Sequence, residues 1–270
     1  CSQLQSYASL LAVAKANNKE IVFSKSMFNK GCSIKIFDLL KIYPNIKPDS
    51  FFKDFKLKEI NFHTTSYDET LFDLDESNYD LSGRFDLYTY WYNDIKEKID
   101  NWEFQTDLSV QALNRLNTIK KQLGEKPTVS IHIRRGDYTL PQNQILNIVD
   151  EDYYVKALTQ NFLPINDYNF LVFSNDIEYA KTQLEGDNVY FVEPKGIDSY
   201  SYTSSEKEDL ALLSLCDHHI ITNSTYSWWG AYLSKSPNKK IICPTNWLKG
   251  PSFMNGNHFP SNWINIDNKN

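Results

Sequence analysis

Hydrophobic and polar positions along this chain follow two regimes. From residue 128 onward, short apolar runs recur with helix-length segments between them. The pattern predicts strands at 128–134, 170–174, 189–192, 218–222 and 240–243, with helices at 151–162, 177–184, 206–216 and 225–233. Strands joined through helices imply parallel βαβ units and a doubly wound α/β sheet, whose ligand crevice lies at the carboxyl ends of the strands. The first half is less regular. Leu4, Leu11 and several alanines predict a helix over 4–16, and Ile21 to Phe23 a short buried strand. Val110, Leu113, Leu116, Ile119, Lys120 and Leu123 predict a further helix in one register, ended by Gly124. Residues 25–62 show no clear period, and the acidic segment 68–80 reads as a solvated loop or edge. Lys126-Pro127 reads as a hinge, so domains at 1–126 and 127–270 are expected.

The second half is organised around Thr128 to Thr139. Alternation predicts Ile131 and Ile133 on one face of the strand and His132 and Arg134 on the other, before Arg135, Gly136 and Asp137 break the pattern. Arg134 would bring a planar cationic fork to the sheet edge, suited to two phosphate oxygens and to the charge that develops on a departing diphosphate. The plainer alternative is a structural ion pair of Arg134 or Arg135 with Asp137, expected for Arg135, which alternation points away from the face of Arg134. Asn175 and Asp176 follow the second strand, and Asn223, Ser224, Thr225 and Ser227 follow the fourth. Singly, such residues are helix caps; converging on one rim, they suit an anion at a helix start. His132 either orients a neighbouring side chain or satisfies a backbone carbonyl. Trp228 and Trp229 are expected in the core, while Tyr88, Trp91 and Tyr92 are either core-packing rings or a platform for an acceptor sugar.

Composition narrows the field. With 41% hydrophobic and 14% aromatic residues the chain is globular rather than disordered. A net charge of −6 offers nucleic acid no bulk attraction, so anion binding must come from a local cluster. Cys1, Cys32, Cys216 and Cys243 are scattered without metal-ligand spacing, which predicts free thiols and no metal site. No apolar run is long enough to cross a bilayer and the opening residues show no signal peptide, so a cytoplasmic protein is expected, peripheral at the inner membrane at most. Glycine-rich dinucleotide, Walker and G-x-S-x-G motifs are missing, which removes the usual support for dehydrogenase, P-loop and serine-hydrolase readings.

Two of these stretches carry a resemblance. His132-Ile-Arg-Arg-Gly-Asp137 resembles the H-x-R-R-x-D motif of fucosyltransferases, and Asn223-Ser-Thr-Tyr-Ser-Trp-Trp-Gly-Ala231 is similar to the N-S-S/T-F/Y-S-W-W-G-A stretch of the α-1,2-fucosyltransferases, glycosyltransferase family 11. Phe173 to Asp176, Leu215 to His218 and Leu81 to Gly83 fall in the family's order, so the resemblance covers nearly the whole chain. It implies an α/β GT-B architecture, two Rossmann-like domains facing a central cleft, the first on the acceptor side and the second binding the GDP-sugar. It further implies GDP-β-L-fucose as donor, a galactose-containing glycan as acceptor, no cofactor and no metal, and inversion to an α-1,2 linkage. Carried over by position, Arg134 contacts the donor diphosphate, and Asn175, Asp176, Ser224, Thr225 and Ser227 line the nucleotide site. His132, Arg135 and Asn223 join the substrate-binding candidates through their places in the two motifs. Asp137 is either the general base or the residue that holds the arginines. Asp209, placed in the first turn of the helix 206–216, is a donor-side candidate or a carboxylate favoured by the helix dipole.

The setting implied is a bacterial enzyme that decorates surface polysaccharide precursors. Rival readings are fucosyl transfer to another position such as α-1,6, a nucleotide-sugar or glycan-binding protein without turnover, and a phosphate-ester hydrolase. The family opens with a strand and a G-G-L-G-N-Q turn, whereas Ser2 to Ala8 match only the segment after that turn. The expectation is that residues natively preceding Cys1 are absent, or else that this half of the site is altered.

Overall fold

The computed structural model describes residues 2–29, 36–62, 67–83, 88–193, 204–252 and 258–268. They divide into two compact units, Cys1–Gln105 and Thr106–Asn270.

The first unit runs α1 (Ser2–Ala16), β1 (Phe23–Ser24), α2 (Ser26–Asn29), α3 (Ile36–Leu39), β2 (Ile46–Lys47), β3 (Leu57–Phe62), β4 (Asn78–Gly83) and α4 (Tyr92–Asp100). Its pairing is parallel, β1 with β2 and β3 with β4. Helix α1 buries Leu4, Ala8 and Ala12, the i, i+4, i+8 stripe that a 3.6-residue period places on one side. The strand expected at 21–23 is shorter and later, because only Phe23 and Ser24 find ladder partners, in Ile46 and Lys47. Within the acidic segment, Leu71 is buried and β4 begins at Asn78. Trp91 is fully buried, so it is a core ring, whereas Tyr88 and Tyr92 are half-buried and meet edge to face at 5.3 Å.

The second unit runs α5 (Thr106–Leu123), β5 (Thr128–Ile133), α6 (Glu151–Asn161), β6 (Asn169–Ser174), α7 (Ile177–Gln183), β7 (Val189–Val192), α8 (Ser204–Ser214), β8 (His218–Ile220), α9 (Thr225–Leu233), β9 (Ile241–Pro244) and β10 (Ile264–Ile266). Among the described residues these strands form one six-stranded sheet, β7-β6-β5-β8-β9-β10, parallel throughout. Numbered by appearance the order is 3-2-1-4-5-6, the Rossmann arrangement, and its switch point lies between β5 and β8. Every predicted strand and helix of this half is present within a few residues. Strand β10 escaped prediction because three residues with a single buried side chain, Ile266, carry no readable period.

Alternation along β5 sorts its side chains as expected. Val129, Ile131 and Ile133 join a core with Tyr153, Tyr154 and Ala157 of α6 and with Phe170, Val172, Ile220 and Ile242. Ser130 and His132 alternate with them and form hydrogen bonds instead, to His219 and Ser227. Trp228 and Trp229 are buried, as predicted. Cys216 and Cys243 are free, buried thiols, and burial pushes Cys216 up to about 12. Cys1, Cys32, residues 84–87 and most of the polar loop expected at 195–205 lie outside the described residues.

Helix α5 corrects the sequence reading twice. Its buried stripe is Leu108, Ala112, Leu116 and Ile119, while Val110 and Leu113 are about half exposed. Residues spaced 4, 4 and 3 apart stay on one side of a helix, and the expected register through Val110 and Leu113 drifts off it. The stripe packs against α8, so α5 belongs to the second unit and the division falls at Gln105 and Thr106 rather than at 126 and 127. Leu116→Ala is therefore expected to cost roughly 2–5 kcal/mol in unfolding free energy. Val110→Ala should stay within about 0.5 kcal/mol. Denaturant midpoints of the two variants check the assignment, and equal losses would contradict it.

Candidate active site

Parallel register brings three strand ends to one level. Ile133, the last residue of β5, lies beside Ser174, the last of β6, and on the other side Ile131 lies beside Ile220 of β8. The residues that follow these strands therefore meet on one rim. The arginine-bearing loop and the loop after β6 join where the Arg135 N–H donates to Asn175 Oδ1 at 2.9 Å. The arginine-bearing segment and the start of α9 join twice: the Tyr138 hydroxyl donates to the Asn223 carbonyl at 2.8 Å, and His132 Nδ1 and Ser227 Oγ share a hydrogen bond of 2.9 Å.

Within the first loop, Arg134 Nη2 lies 2.6 Å from Asp137 Oδ1, and the guanidinium carbon sits 5.3 Å from the Tyr138 ring centroid. Arg135 turns the other way and stacks on Tyr179 at 4.0 Å. The expectation that Arg135 would take the ion pair is thus corrected. The tight turn 136–139 folds position 137 back under 134, three residues earlier, while Arg135 points to the opposite side. The Arg134 side chain is a little over a quarter exposed, and its buried Nε meets no hydrogen-bond partner among the described residues. Gly136 makes the turn possible. Its φ of +50° is a left-handed conformation, and a Cβ there would overlap the side-chain amide of Asn175.

Two of the rim residues are helix caps. Asp176 accepts from the Tyr179 N–H at 3.1 Å at the start of α7. Ser224 accepts from the Tyr226 N–H at 3.4 Å at the start of α9. The first turn of α9, including the half-buried Thr225, points its N–H groups and the positive end of the dipole at the rim. Asn223 is turned inward: its amide donates to the Asn147 and Trp247 carbonyls at 2.5 and 2.8 Å and accepts from the Thr222 hydroxyl at 2.9 Å. Asn175 is exposed and borders a cavity of about 290 Å³ at the ends of β6 and β7, lined also by Ser174, Ile177, Glu178 and Glu193.

Asp209 has a different partner from the one its position suggested. Helix α8 begins at Ser204, two residues earlier than expected, so Asp209 lies beyond the first turn and forms a hydrogen-bonded ion pair with Arg115 of α5. Arg115 also donates to the Glu193 carbonyl at 3.0 Å and lies 3.7 Å from Glu208. Tyr226 stands between the two cationic groups: burial raises its hydroxyl pKa, Asp209 and Glu206 add to the rise, and Arg115 and Arg134 oppose it. Sequence reasoning missed Arg115, Tyr138, Tyr179 and Tyr226. Tyr138 adjoins the first motif and Tyr226 lies within the second, so both were findable there; Arg115 looked like any cation on a helix surface.

Glycosyltransferases of the GT-B-like class share this fold. Fucosyltransferase NodZ from Bradyrhizobium superposes with a TM-score of 0.52 at 11% identity, over 84% of this chain and 87% of its own. The family model of glycosyl transferase family 11 matches residues 1–267, and the chain belongs to that family. The α-1,2-colitosyltransferase of Escherichia coli is 26% identical over 240 residues, 84% of this chain and 76% of its own length. Galactoside α-(1,2)-fucosyltransferase 1 of Leontopithecus chrysomelas is 24% identical over 242 residues, 86% of this chain, which spans only 62% of that relative.

Burial has a consequence for acid stability. Desolvation, with Arg134 adding to it, lowers His132 from 6.5 to about 3, and burial does the same to His258; His219 is also well below its ordinary value. An unfolded chain protonates these rings near pH 6.5, so between about pH 6.5 and 3 it holds more protons than the folded one. Stability is then lost as pH falls through that window, by up to about 1.4 kcal/mol per pH unit for each ring. Urea midpoints at neutral pH and in mild acid should show the loss, and His132→Asn, which keeps a hydrogen-bonding atom for Ser227, should make it shallower. An unchanged acid slope in that variant would contradict the neutral, buried state of His132.

Proposed function

We propose that this family 11 glycosyltransferase moves L-fucose from GDP-β-L-fucose to the 2-hydroxyl of a galactoside, with inversion at the anomeric carbon. The observation that carries the reading is that His132 and Tyr138, on either side of Arg134 in the chain, bond to Ser227 and Asn223 at the amino-terminal end of α9. In this reading the acceptor oxygen bonds to the fucose anomeric carbon as the bond from that carbon to the GDP oxygen breaks. The acceptor hydroxyl gives its proton to solvent, and GDP leaves with an added negative charge.

Each side chain then has a physical task. Arg134 holds diphosphate oxygens, and the first turn of α9 with Ser224 and Thr225 meets the same charge through N–H groups. The ion pair with Asp137 supports the holding role for that carboxylate rather than the general base. Asn175 and Asp176 border the nucleotide across the rim. His132, Ser227 and Asn223 brace the two loops from within, a role their burial favours, and Arg135 locks the first loop onto α7 through Tyr179. Charge borne by these groups would let transfer proceed without a divalent cation. A colitosyl donor is the second reading, favoured by the E. coli relative, whose name carries that sugar.

The test is a product analysis after incubation with GDP-fucose and a panel of β-galactosides in chelator. An α-1,2-fucosylated product is expected. Strict dependence on an added cation, or another linkage, would overturn the corresponding part. A parallel colitosyl donor assay decides between the two sugars. Arg134→Ala is expected to lower kcat about 100- to 1000-fold with the thermal midpoint nearly unchanged. Arg134→Lys should recover little, since an ammonium cannot reproduce the two-pronged contact.

A further inference from the structure

The first unit carries a surface segment that the transferase reading leaves without a task. Residues 47–58 hold a short 3-10 helix, Asp49–Asp54, in which no residue is buried, followed by the exposed start of β3. Phe51 is 40% exposed and Phe55 39%, and they are flanked by Ile46 and Leu57 at 43% and 36%. Phe51, Phe52 and Phe55 gather into one cluster, with ring centroids 5.3 and 5.1 Å apart. Phenylalanine rings left in water on an irregular segment cost free energy unless a partner covers them.

Lysines are interleaved with the rings. In a chain of net charge −6, residues 47–58 hold Lys47, Lys53, Lys56 and Lys58 against Asp49 and Asp54. One of those two carboxylates is engaged locally, because Asp49 accepts from the Ser24 hydroxyl and from the Ser26 N–H. Lys58 is paired with Asp75, and Lys47 Nζ lies 5.8 Å from the Phe51 ring centroid. Lys53 and Lys56 are exposed and form no salt bridge among the described residues. Apolar rings amid cations with long flexible stems suit a surface that is apolar inside and anionic outside.

We propose that the segment 47–58 docks on an anionic phospholipid bilayer, with Phe51, Phe55 and Leu57 entering the acyl boundary and Lys47, Lys53 and Lys56 meeting lipid phosphates. Ring geometry argues against a sugar platform here, since the Phe51 plane is inclined 85° to Phe52 and 40° to Phe55, leaving no flat shared face for a pyranose. Among the described residues no helix is long and apolar enough to cross a membrane. The proposal is independent of which sugar the enzyme transfers.

Flotation of the full chain with vesicles tests it, using phosphatidylcholine alone and phosphatidylcholine mixed with phosphatidylglycerol, at low and high salt. Binding is expected to the anionic vesicles only, weakened by salt. The pairs Phe51→Ser with Phe55→Ser, and Lys53→Glu with Lys56→Glu, should each bind roughly tenfold more weakly while transfer to a soluble acceptor stays unchanged. The lysine pair removes no apolar contact and keeps the test valid if the phenylalanine pair unfolds. No binding to anionic vesicles, equal binding to neutral ones, or unaltered binding by the lysine pair would overturn the proposal. It would equally fall if the variants abolished a dimer seen by sedimentation, or transfer to a soluble glycan, while vesicle binding persisted.

Discussion

The parallel ladder of β5 with β6 on one side and β8 on the other is the constraint on which the second unit depends. A parallel register aligns strand ends of the same sense, and here it sets Ile133 level with Ser174. The chain leaves β5 with one connection running toward β6 and β7 and a later one reaching β8, β9 and β10 on the other flank. The connections leaving β5 and β8 therefore carry α6 and α9 to opposite faces of the sheet, α6 against the face of Ile131 and Ile133 and α9 against that of His132. Everything polar that the site uses is a consequence of that shared level.

Rigidity at the rim is achieved with buried hydrogen bonds rather than with exposed ion pairs. His132 and Ser227 join β5 to α9, Tyr154 donates to the His132 carbonyl, and Asn223 ties the strand end to two distant carbonyls. Such groups are costly to bury without partners and stiffen the fold when every donor is satisfied. They hold the backbone so that few side chains need to reach the solvent side. Arg134 differs from His132: it is partly exposed, lies beside Asp137, and keeps a buried nitrogen without a hydrogen-bond partner among the described residues, as Arg135 also does. A cation held at a fixed position before ligand arrives loses little freedom on binding.

The first unit obeys different rules. Its strands pair two by two among the described residues, and much of its aromatic content lies at or near the surface instead of in one stripe. Tyr90 and Trp91 sit wholly inside, while Phe51 and Phe55 do not. That contrast separates rings that hold the unit together from rings that await something outside it, and it explains why periodicity in residues 25–62 was so hard to read.

Much of the second unit was legible in one dimension because its information is local. Two-residue alternation in Val129 to Ile133 sets which side chains face α6, the Asp176 and Ser224 caps mark helix starts, and Gly136 sits where a left-handed turn excludes a Cβ. The two motifs could be seen, and their family named, without coordinates. Strand order could not, nor the side of α5 that is buried, nor which arginine takes Asp137. The pairing of Asp209 with Arg115 spans 94 residues, and the carbonyls that engage Asn223 belong to Asn147 and Trp247. Local pattern specifies an element and its apolar side, but partners distant in sequence are chosen by how complete elements pack and by the need to satisfy every buried polar group, which no stretch of chain encodes alone.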